Sequence, residues 1–496
     1  MSNWLENSQL FRGGAVQASY REQIIPVYRN IPIIETLPDI LTKDQFIKLA
    51  TYLPEYEPSL RELPPEYRLH LVLDASRCGI VLPTHIDLEQ RFSRIIRMGY
   101  VNRNPLTFGY WKEVDAKTAL VDAKNSNAHH QGSRMLGFNI IGISGGGKST
   151  GIEMVLSLTP QLIEHGEYKG KNFTWRQIVW LKLDCPMDGS IKGLCLNFFR
   201  AVDDLLGTNY YHFCARDGRA TVDEMIPSIA RLAFVHSIGL MVIDEIQNLS
   251  HAKSGGAAKM LSFFVQLVNT TGMPIVLVGT PKAKSVLASE FRQARRGAGQ
   301  GDMIWHPMKK DASWEFFLSR IWGYQYVKNI TPLNDEMSET IYEESAGIPD
   351  IAVKLYILAQ VRAITTGREE ITSGIIRSVA KDSLSTLQPM LNALRKNDKK
   401  ALLNFPDIEP IDIEFFLKKY TQQEDTITVR TTPNKSLKAE NKAIPQKKNS
   451  RTDAIYAANS LPNLIADGRK QDLTPYEALK NMGCICHAEE YLEIHS

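Results

Sequence analysis

The run Gly142-Ile-Ser-Gly-Gly-Gly147-Lys148-Ser149 brings together the residue types that a triphosphate requires. It follows the pattern G-x-x-x-x-G-K-[ST] in full. Phosphate oxygens must be met by convergent backbone N–H groups, and only glycines let the main chain wrap that tightly. Gly142, Ser144, Gly145, Gly146 and Gly147 therefore form the expected cradle, and a helix opening at its end adds the positive end of its dipole. Lys148 is placed to reach the β- and γ-phosphates, the Ser149 hydroxyl to ligate Mg²⁺, and Thr150 follows in the same turn. The cofactors implied are ATP and Mg²⁺.

Two further segments carry compatible chemistry. In GLMVIDE (239–245) an apolar run ends in two acids. Asp244 at the strand's carboxyl end suits a Mg²⁺ shell, and Glu245 suits polarisation of an attacking water. Alone, the two acids merely close a strand; beside Lys148 they complete a hydrolytic pair. In PIVLVGT (274–280) another apolar run ends in Thr280, at the sheet edge where open α/β sheets bind ligands. Thr280 reads either as a sensor of the γ-phosphate or as a turn residue before Pro281. In EFRQARRGAGQG (290–301), Arg292, Arg295 and Arg296 precede a Gly-rich turn. Arg295 and Arg296 are candidates for transition-state charge stabilisation in a neighbouring subunit, with a solvated basic loop as the alternative.

These residues need a scaffold, and the pattern from about 135 to 310 supplies one. FNIIGI, IVWLKLD, GLMVID and PIVLVG are short runs rich in Ile, Val and Leu, separated by helical patterns. That alternation predicts a parallel sheet flanked by helices. One helix is capped by Ser190, presents Ile191, Leu194, Phe198, Val202 and Leu205 on one face, and stops at Gly207. Another starts at the capping box Thr221/Glu224. From about 312 to 400 the pattern is helical, with Pro349 opening a helix after Gly347 and Gly367 closing it. Phe263-Phe264 and Phe316-Phe317 read as helix core rather than stacking platforms. Upstream, Thr84 to Asp87 reads as a capping box for a helix with the stripe Ile86, Phe92, Ile95 and Ile96. Its Arg91, Arg94 and Arg97 form the opposite side, either a solvated face or a contact for DNA or a partner. The expected divisions are 1–130, an N-terminal extension with possible DNA or selector contact; 131–310, an α/β nucleotide-binding domain; 311–400, a helical lid; and 401–496, a partly disordered linker and docking tail. The linker NKSLKAENKAIPQKKNSR is basic and nearly free of aromatics; it either touches DNA phosphates or stays solvated.

Bulk properties exclude several classes. The chain has 496 residues, net charge +3, and 43% hydrophobic residues, as in ordinary globular proteins. Six scattered cysteines do not make a disulfide scaffold and fit a reducing cytoplasm. Cys484-Ile-Cys486-His487 lacks a full ligand set and reads as surface thiols. The polar start lacks a secretory pattern, and no apolar run reaches the roughly 20 residues of a membrane helix. A metabolic kinase is disfavoured because Glu245 suits water activation.

In order along the chain, Gly142–Ser149, IDEIQNLS (243–250), LVGTPKA (277–283) and ARRGAGQG (294–301) resemble TnsC, the AAA+ regulator of heteromeric bacterial transposons. The resemblance extends to WLKLDCPMDGSIKGLCLNFFRA (180–201), IPDIAVKLYILAQVRA (348–363) and GYVNRNP (99–105), spanning roughly residues 20 to 400. It implies an AAA+ P-loop NTPase fold of the initiator branch, with ATP-dependent self-association into rings or filaments on double-stranded DNA. It further implies a messenger role between a TnsD/TniQ-like target selector and TnsA/TnsB-like transposase subunits. Lys148 and Ser149 would bind phosphate and Mg²⁺, Asp244 and Glu245 would serve hydrolysis, and Thr280 would sense nucleotide. Ser190 and Lys192, with Arg200, Arg216 and Arg219, would face DNA, ordinary capping and solvated charge being the alternative. One departure stands out: where many such proteins place a lid arginine, Gly347-Ile-Pro is followed by Asp350, leaving Lys354 as the nearest cation. A helicase loader and a nucleotide-gated DNA scaffold remain as alternative functions.

Overall fold

The N-terminal residues have too few contiguous apolar positions for a core of their own, and they pack against the sheet and helices C-terminal to them. Strand β1 (Ala15–Gln17) leads into short helices α1 (Pro32–Glu35), α2 (Lys43–Ala50), α3 (Pro65–Leu71) and α4 (Asp74–Arg77), then the longer α5 (Pro83–Val101) and α6 (Tyr110–Asp122). The computed structural model describes residues 15–122, 137–252, 256–283, 300–385 and 387–396. All lie in the first of two units, Met1–Thr428; the second, Val429–Ser496, falls outside the described residues, as do the basic linker and Cys484 to His487.

The middle of the chain builds β2 (Gly137–Gly142), α7 (Lys148–Ser157), β3 (Leu162–Tyr168), β4 (Lys171–Ile178), β5 (Trp180–Asp184), α8 (Ile191–Leu206), α9 (Tyr210–Ala215), α10 (Val222–Val235), β6 (Leu240–Asp244), α11 (Gly256–Thr271), β7 (Ile275–Gly279) and β8 (Met303–Trp305). Five strands form an all-parallel sheet in the order β5-β6-β7-β2-β8. Period-two alternation sends side chains to two covered faces. Met241, Ile243, Ile275 and Leu277 join α8, α10 and α11 in one core. Leu240, Val242, Val276, Val278, Phe138 and Ile140 join α7 and α5 in the other, where Phe92, Ile95, Ile96 and Tyr100 are buried. Each such side chain contributes about 1.5–3 kcal/mol.

Helix α5 of the N-terminal segment is thus a structural layer of the parallel-sheet domain. It begins one residue before Thr84, at Pro83, and not with the Thr84–Asp87 box. The His85 ring closes its first turn, Nδ1 accepting from the Leu82 N–H at 3.1 Å. Two of its three arginines also depart from the expected solvated or DNA-facing side. Arg97 is buried and donates to the Ser93 hydroxyl and carbonyl and to the Pro38 carbonyl. Arg91 lies over the Phe138 ring and donates to the carbonyls of Gln300 and Gly301. Arg94 is exposed.

A second small sheet, β1-β3-β4, has no counterpart in the expected alternation. Strand β1 pairs parallel with β3, and β3 and β4 form an antiparallel hairpin. The run IVWLKLD is accordingly divided: Ile178 ends the hairpin and Trp180 starts β5. The other helices follow the sequence signals. The Ser190 hydroxyl caps α8 by accepting from Gly193 N–H, Gly207 ends it at φ +63°, and Thr221/Glu224 form the capping box of α10.

After the sheet come α12 (Ala312–Trp322), α13 (Asp335–Ser345), α14 (Pro349–Thr365), α15 (Ser373–Ser383) and α16 (Gln388–Arg395), packed around a core that also takes in Val72, Ala75 and Ile80. Phe263, Phe264 and Phe317 are core, whereas Phe316 is exposed with Arg320 over its ring. The join between α3 and the helical part is an ion pair. Arg68, fully buried, donates two 2.7 Å hydrogen bonds to Glu369 and others to the carbonyls of Tyr326 and Leu63.

Candidate nucleotide-binding site

The loop between β2 and α7 has the backbone that its glycines permit. Gly145 and Gly147 take φ of +71° and +85°, the latter directly before the first turn of α7. A Cβ on Gly145 would sit 3.3 Å from Ile348 Cγ2 and 3.4 Å from Asp350 Cβ, so the loop touches the start of α14. The Trp305 indole N–H donates to Gly146 O at 2.7 Å, and Asp350 N–H donates to Gly145 O at 3.3 Å. The first N–H groups of α7 have no intrahelical partners, an arrangement suited to an anion beside the turn. Ser144 lines the loop and Thr150 is exposed on α7.

Lys148 is buried, and its Nζ donates to Gly142 O at 2.9 Å and Ile143 O at 2.8 Å, which holds the ammonium against the loop. The next residue faces the neighbouring strand ends: Ser149 Oγ donates to Asp244 Oδ2 at 2.7 Å. The other carboxylate oxygen, Oδ1, accepts Glu245 N–H at 2.9 Å. Lys182 on β5 adds a 3.7 Å ion pair to Asp244 and a 2.6 Å pair to Glu153. Burial opposes the Lys182 charge, but the hydrogen bond to Glu153 and the charges of Glu153, Asp244 and Asp184 outweigh it and raise its pKa. A hydroxyl and a single carboxylate suit Mg²⁺, which keeps waters and takes its remaining ligands from phosphates. Groups of three or more His, Cys, Asp or Glu able to hold a metal are absent among the described residues.

Glu245 is exposed at the end of β6 with a left-handed backbone, φ +56°. Strand β7 runs between β6 and β2, so Thr280 emerges between the acids and the phosphate loop. Its Oγ1 is buried and finds no hydrogen-bond partner among the described residues. A buried orphan hydroxyl carries a desolvation cost that a phosphate oxygen or a water would relieve.

Sequence reasoning missed three members of this arrangement. Gln247, buried two residues past Glu245, donates from Nε2 to Glu245 Oε2 and accepts Thr280 N–H at Oε1, 3.1 Å away. Trp305 supports the loop, and Lys182 faces Asp244. None of the three is marked out by local sequence alone. Lys354 is tied to Asp350 at 2.7 Å. Arg292, Arg295 and Arg296 lie outside the described residues.

The residues proposed to face DNA lie on α8 and on the turn after α9, which packs near Leu196 of α8. Ser190 caps α8, and Lys192 is half-buried in its first turn. Arg200 lies about 12 Å further along α8 and stacks over Tyr211, 4.6 Å from the ring centre. Arg216 pairs with Glu224 at 3.1 Å and Arg219 lies 3.8 Å from Asp217.

A parallel sheet with a glycine cradle before α7, acids at the end of the third strand and a helical lid touching the loop define the AAA+ P-loop fold. Residues 136–287 match the AAA domain family, so this segment is an AAA-family ATPase domain. No curated protein matches the chain. Similar solved structures include the Orc1 protein of Aeropyrum pernix in complex with DNA, at 14% identity and TM-score 0.36, covering 65% of this chain and 79% of that one. They also include a Walker-type ATPase of Pyrococcus abyssi, at 16% identity and TM-score 0.35, covering 65% and 91%. The Cdc6p protein of Pyrobaculum aerophilum stands at 13% and 0.34, covering 64% and 95%. These likenesses are distant, and they carry no argument about activity or partners. Among the described residues no helix is long and apolar enough to cross a membrane.

Proposed function

We propose that the chain binds and hydrolyses ATP with Mg²⁺ and uses the nucleotide to assemble on double-stranded DNA as a regulator of transposition. The observation that carries the hydrolytic part is the 2.7 Å Ser149–Asp244 hydrogen bond beside the phosphate loop, with Glu245 adjacent. Lys148 neutralises phosphate charge, and Ser149 and Asp244 hold Mg²⁺, which screens the developing negative charge when bound. Glu245 takes a proton from the attacking water, and the products are ADP and inorganic phosphate. Thr280 contacts the γ-phosphate or that water. Arg295 and Arg296 serve the neighbouring subunit's site.

The role in transposition rests on the TnsC resemblance of the ordered motifs. On that reading ATP-bound subunits form rings or filaments on DNA, residues 1–130 and the α8–α10 side meet DNA or a TnsD/TniQ-like selector, and residues 401–496 dock TnsA/TnsB-like subunits. Residues 131–310 and 311–400 act as ATPase domain and lid, with Lys354 answering to nucleotide through Asp350. The protein works in the bacterial cytoplasm, on DNA. DNA contact is to phosphates and independent of sequence.

The test is assembly on duplex DNA with ATP, ADP or a non-hydrolysable analogue, observed by electron microscopy. Rings or filaments that need ATP, together with binding to transposase subunits, are expected. Assembly without transposase binding, but with binding to a replicative helicase, would move the role to helicase loading. Indifference to nucleotide would refute both.

A further inference from the structure

Gln247 makes a connection that the proposed reaction does not itself require. Its side chain is buried between the two strand ends that carry Glu245 and Thr280. The orientation of its amide is dictated by its neighbours: Thr280 N–H can only donate, so the acceptor Oε1 faces it, and the Nε2 group is left to donate to the Glu245 carboxylate. Backbone shape enforces the arrangement. Glu245 leaves β6 in a left-handed conformation, and the short 3-10 helix Ile246–His251 brings Gln247 back toward β7. A Cβ on Gly279 would stand 2.6 Å from Ile246 Cγ2 and 2.9 Å from Gln247 Oε1, so only glycine leaves room for the side chain. Beside this bridge lies the unpartnered Thr280 hydroxyl.

We infer that Gln247 is a positioning residue that couples Thr280 to Glu245. The inference rests on the proposed hydrolytic role of Glu245. Contact between Thr280 and nucleotide moves the end of β7, Thr280 N–H carries that movement to Gln247 Oε1, and the Nε2 donor sets the carboxylate that receives the proton of water. Glu245 is thereby aligned for the water according to what Thr280 touches.

The test is ATP turnover and ATP affinity of Gln247→Glu and Gln247→Ala across pH, with Glu245→Gln as control. Gln247→Glu keeps an acceptor for Thr280 N–H but, when ionised, sets a second carboxylate against Glu245. At pH 8 its kcat should fall at least about tenfold while its Kd for ATP stays within about twofold. As pH falls toward 5.5 the introduced acid gains a proton, becomes a donor again, and the deficit against the wild type should shrink. Gln247→Ala should lose kcat without that pH-dependent recovery. A Gln247→Glu protein with wild-type kcat, a deficit constant across pH, or a kcat loss matched by lost ATP affinity would each overturn the coupling. A Glu245→Gln protein with wild-type turnover would instead remove the proposed hydrolytic role. If Gln247→Ala does not fold, the pH dependence of Gln247→Glu decides.

Discussion

Arg68→Met removes the link between α3 and the helical part of the molecule, and the structure gives its size. The guanidinium is fully buried and makes two 2.7 Å hydrogen bonds to Glu369, one of 2.9 Å to Tyr326 O and one of 2.8 Å to Leu63 O. Methionine fills similar volume, so packing is largely kept. What remains is a largely buried carboxylate, which keeps the Lys328 N–H at 3.2 Å, and two carbonyls without their donor. Breaking a buried ion pair from one side costs about 3–5 kcal/mol, most of it the uncompensated charge. With a urea m-value of about 3 kcal/mol/M, the unfolding midpoint should drop by roughly 1 M or more. Adding Glu369→Gln removes the stranded charge and should return at least about 1.5 kcal/mol of that loss. Glutamine meets the same backbone demand as Glu369, whose φ is +55°. There is also a pH signature. The hydrogen bond from Arg68 holds the Glu369 pKa below its ordinary value. A depressed carboxylate pKa contributes stability above the unfolded-state pKa, and that contribution fades as pH falls through the folded-state value. Arg68→Met should flatten this acid dependence. Stability within about 1 kcal/mol of the wild type, or a double variant no more stable than the single, would refute the reasoning.

The other expectations concern charge and ligand. His85, His165 and His236 are buried, and burial pushes each pKa down to about 4. Between pH 7.5 and 5.5 the unfolded chain takes up protons that these rings refuse, so stability should fall by about 4 kcal/mol in all, read as urea midpoints at the two pH values; a flat profile would contradict their burial. Lys148→Ala should abolish ATP binding in calorimetry, and retained micromolar affinity would count against the phosphate cradle. Lys192→Ala should weaken DNA binding equally for all sequences and lower the log–log salt slope by about one; an unchanged slope would remove Lys192 from the DNA face.

Several features were legible in the residues because they are local. Gly145 and Gly147, the strands ending at Asp244 and Gly279, the Ser190 and Thr221 caps and the helix opened by Pro349 each follow from the conformational preferences of a few neighbouring residues. The Ser149–Asp244 contact was within reach for the same reason, since a parallel sheet brings the carboxyl ends of its strands to one edge. Other features required residues far apart in sequence to meet. An amphipathic helix reads the same whether its apolar stripe covers its own domain or another, so nothing in α5 alone announced that it would close a face of the sheet. Arg97 resembled a solvated charge because the Pro38 carbonyl that meets it lies 59 residues away in sequence, beyond what helical spacing can show. The hairpin β3–β4 depended on pairing outside the alternation of strand and helix. Gln247 looked like any polar residue after a strand until β7 entered between β6 and β2 and presented it with Thr280. Short-range preferences specified the glycine loop, the strand ends and the caps, whereas the order in which strands pack decided which side chains meet there.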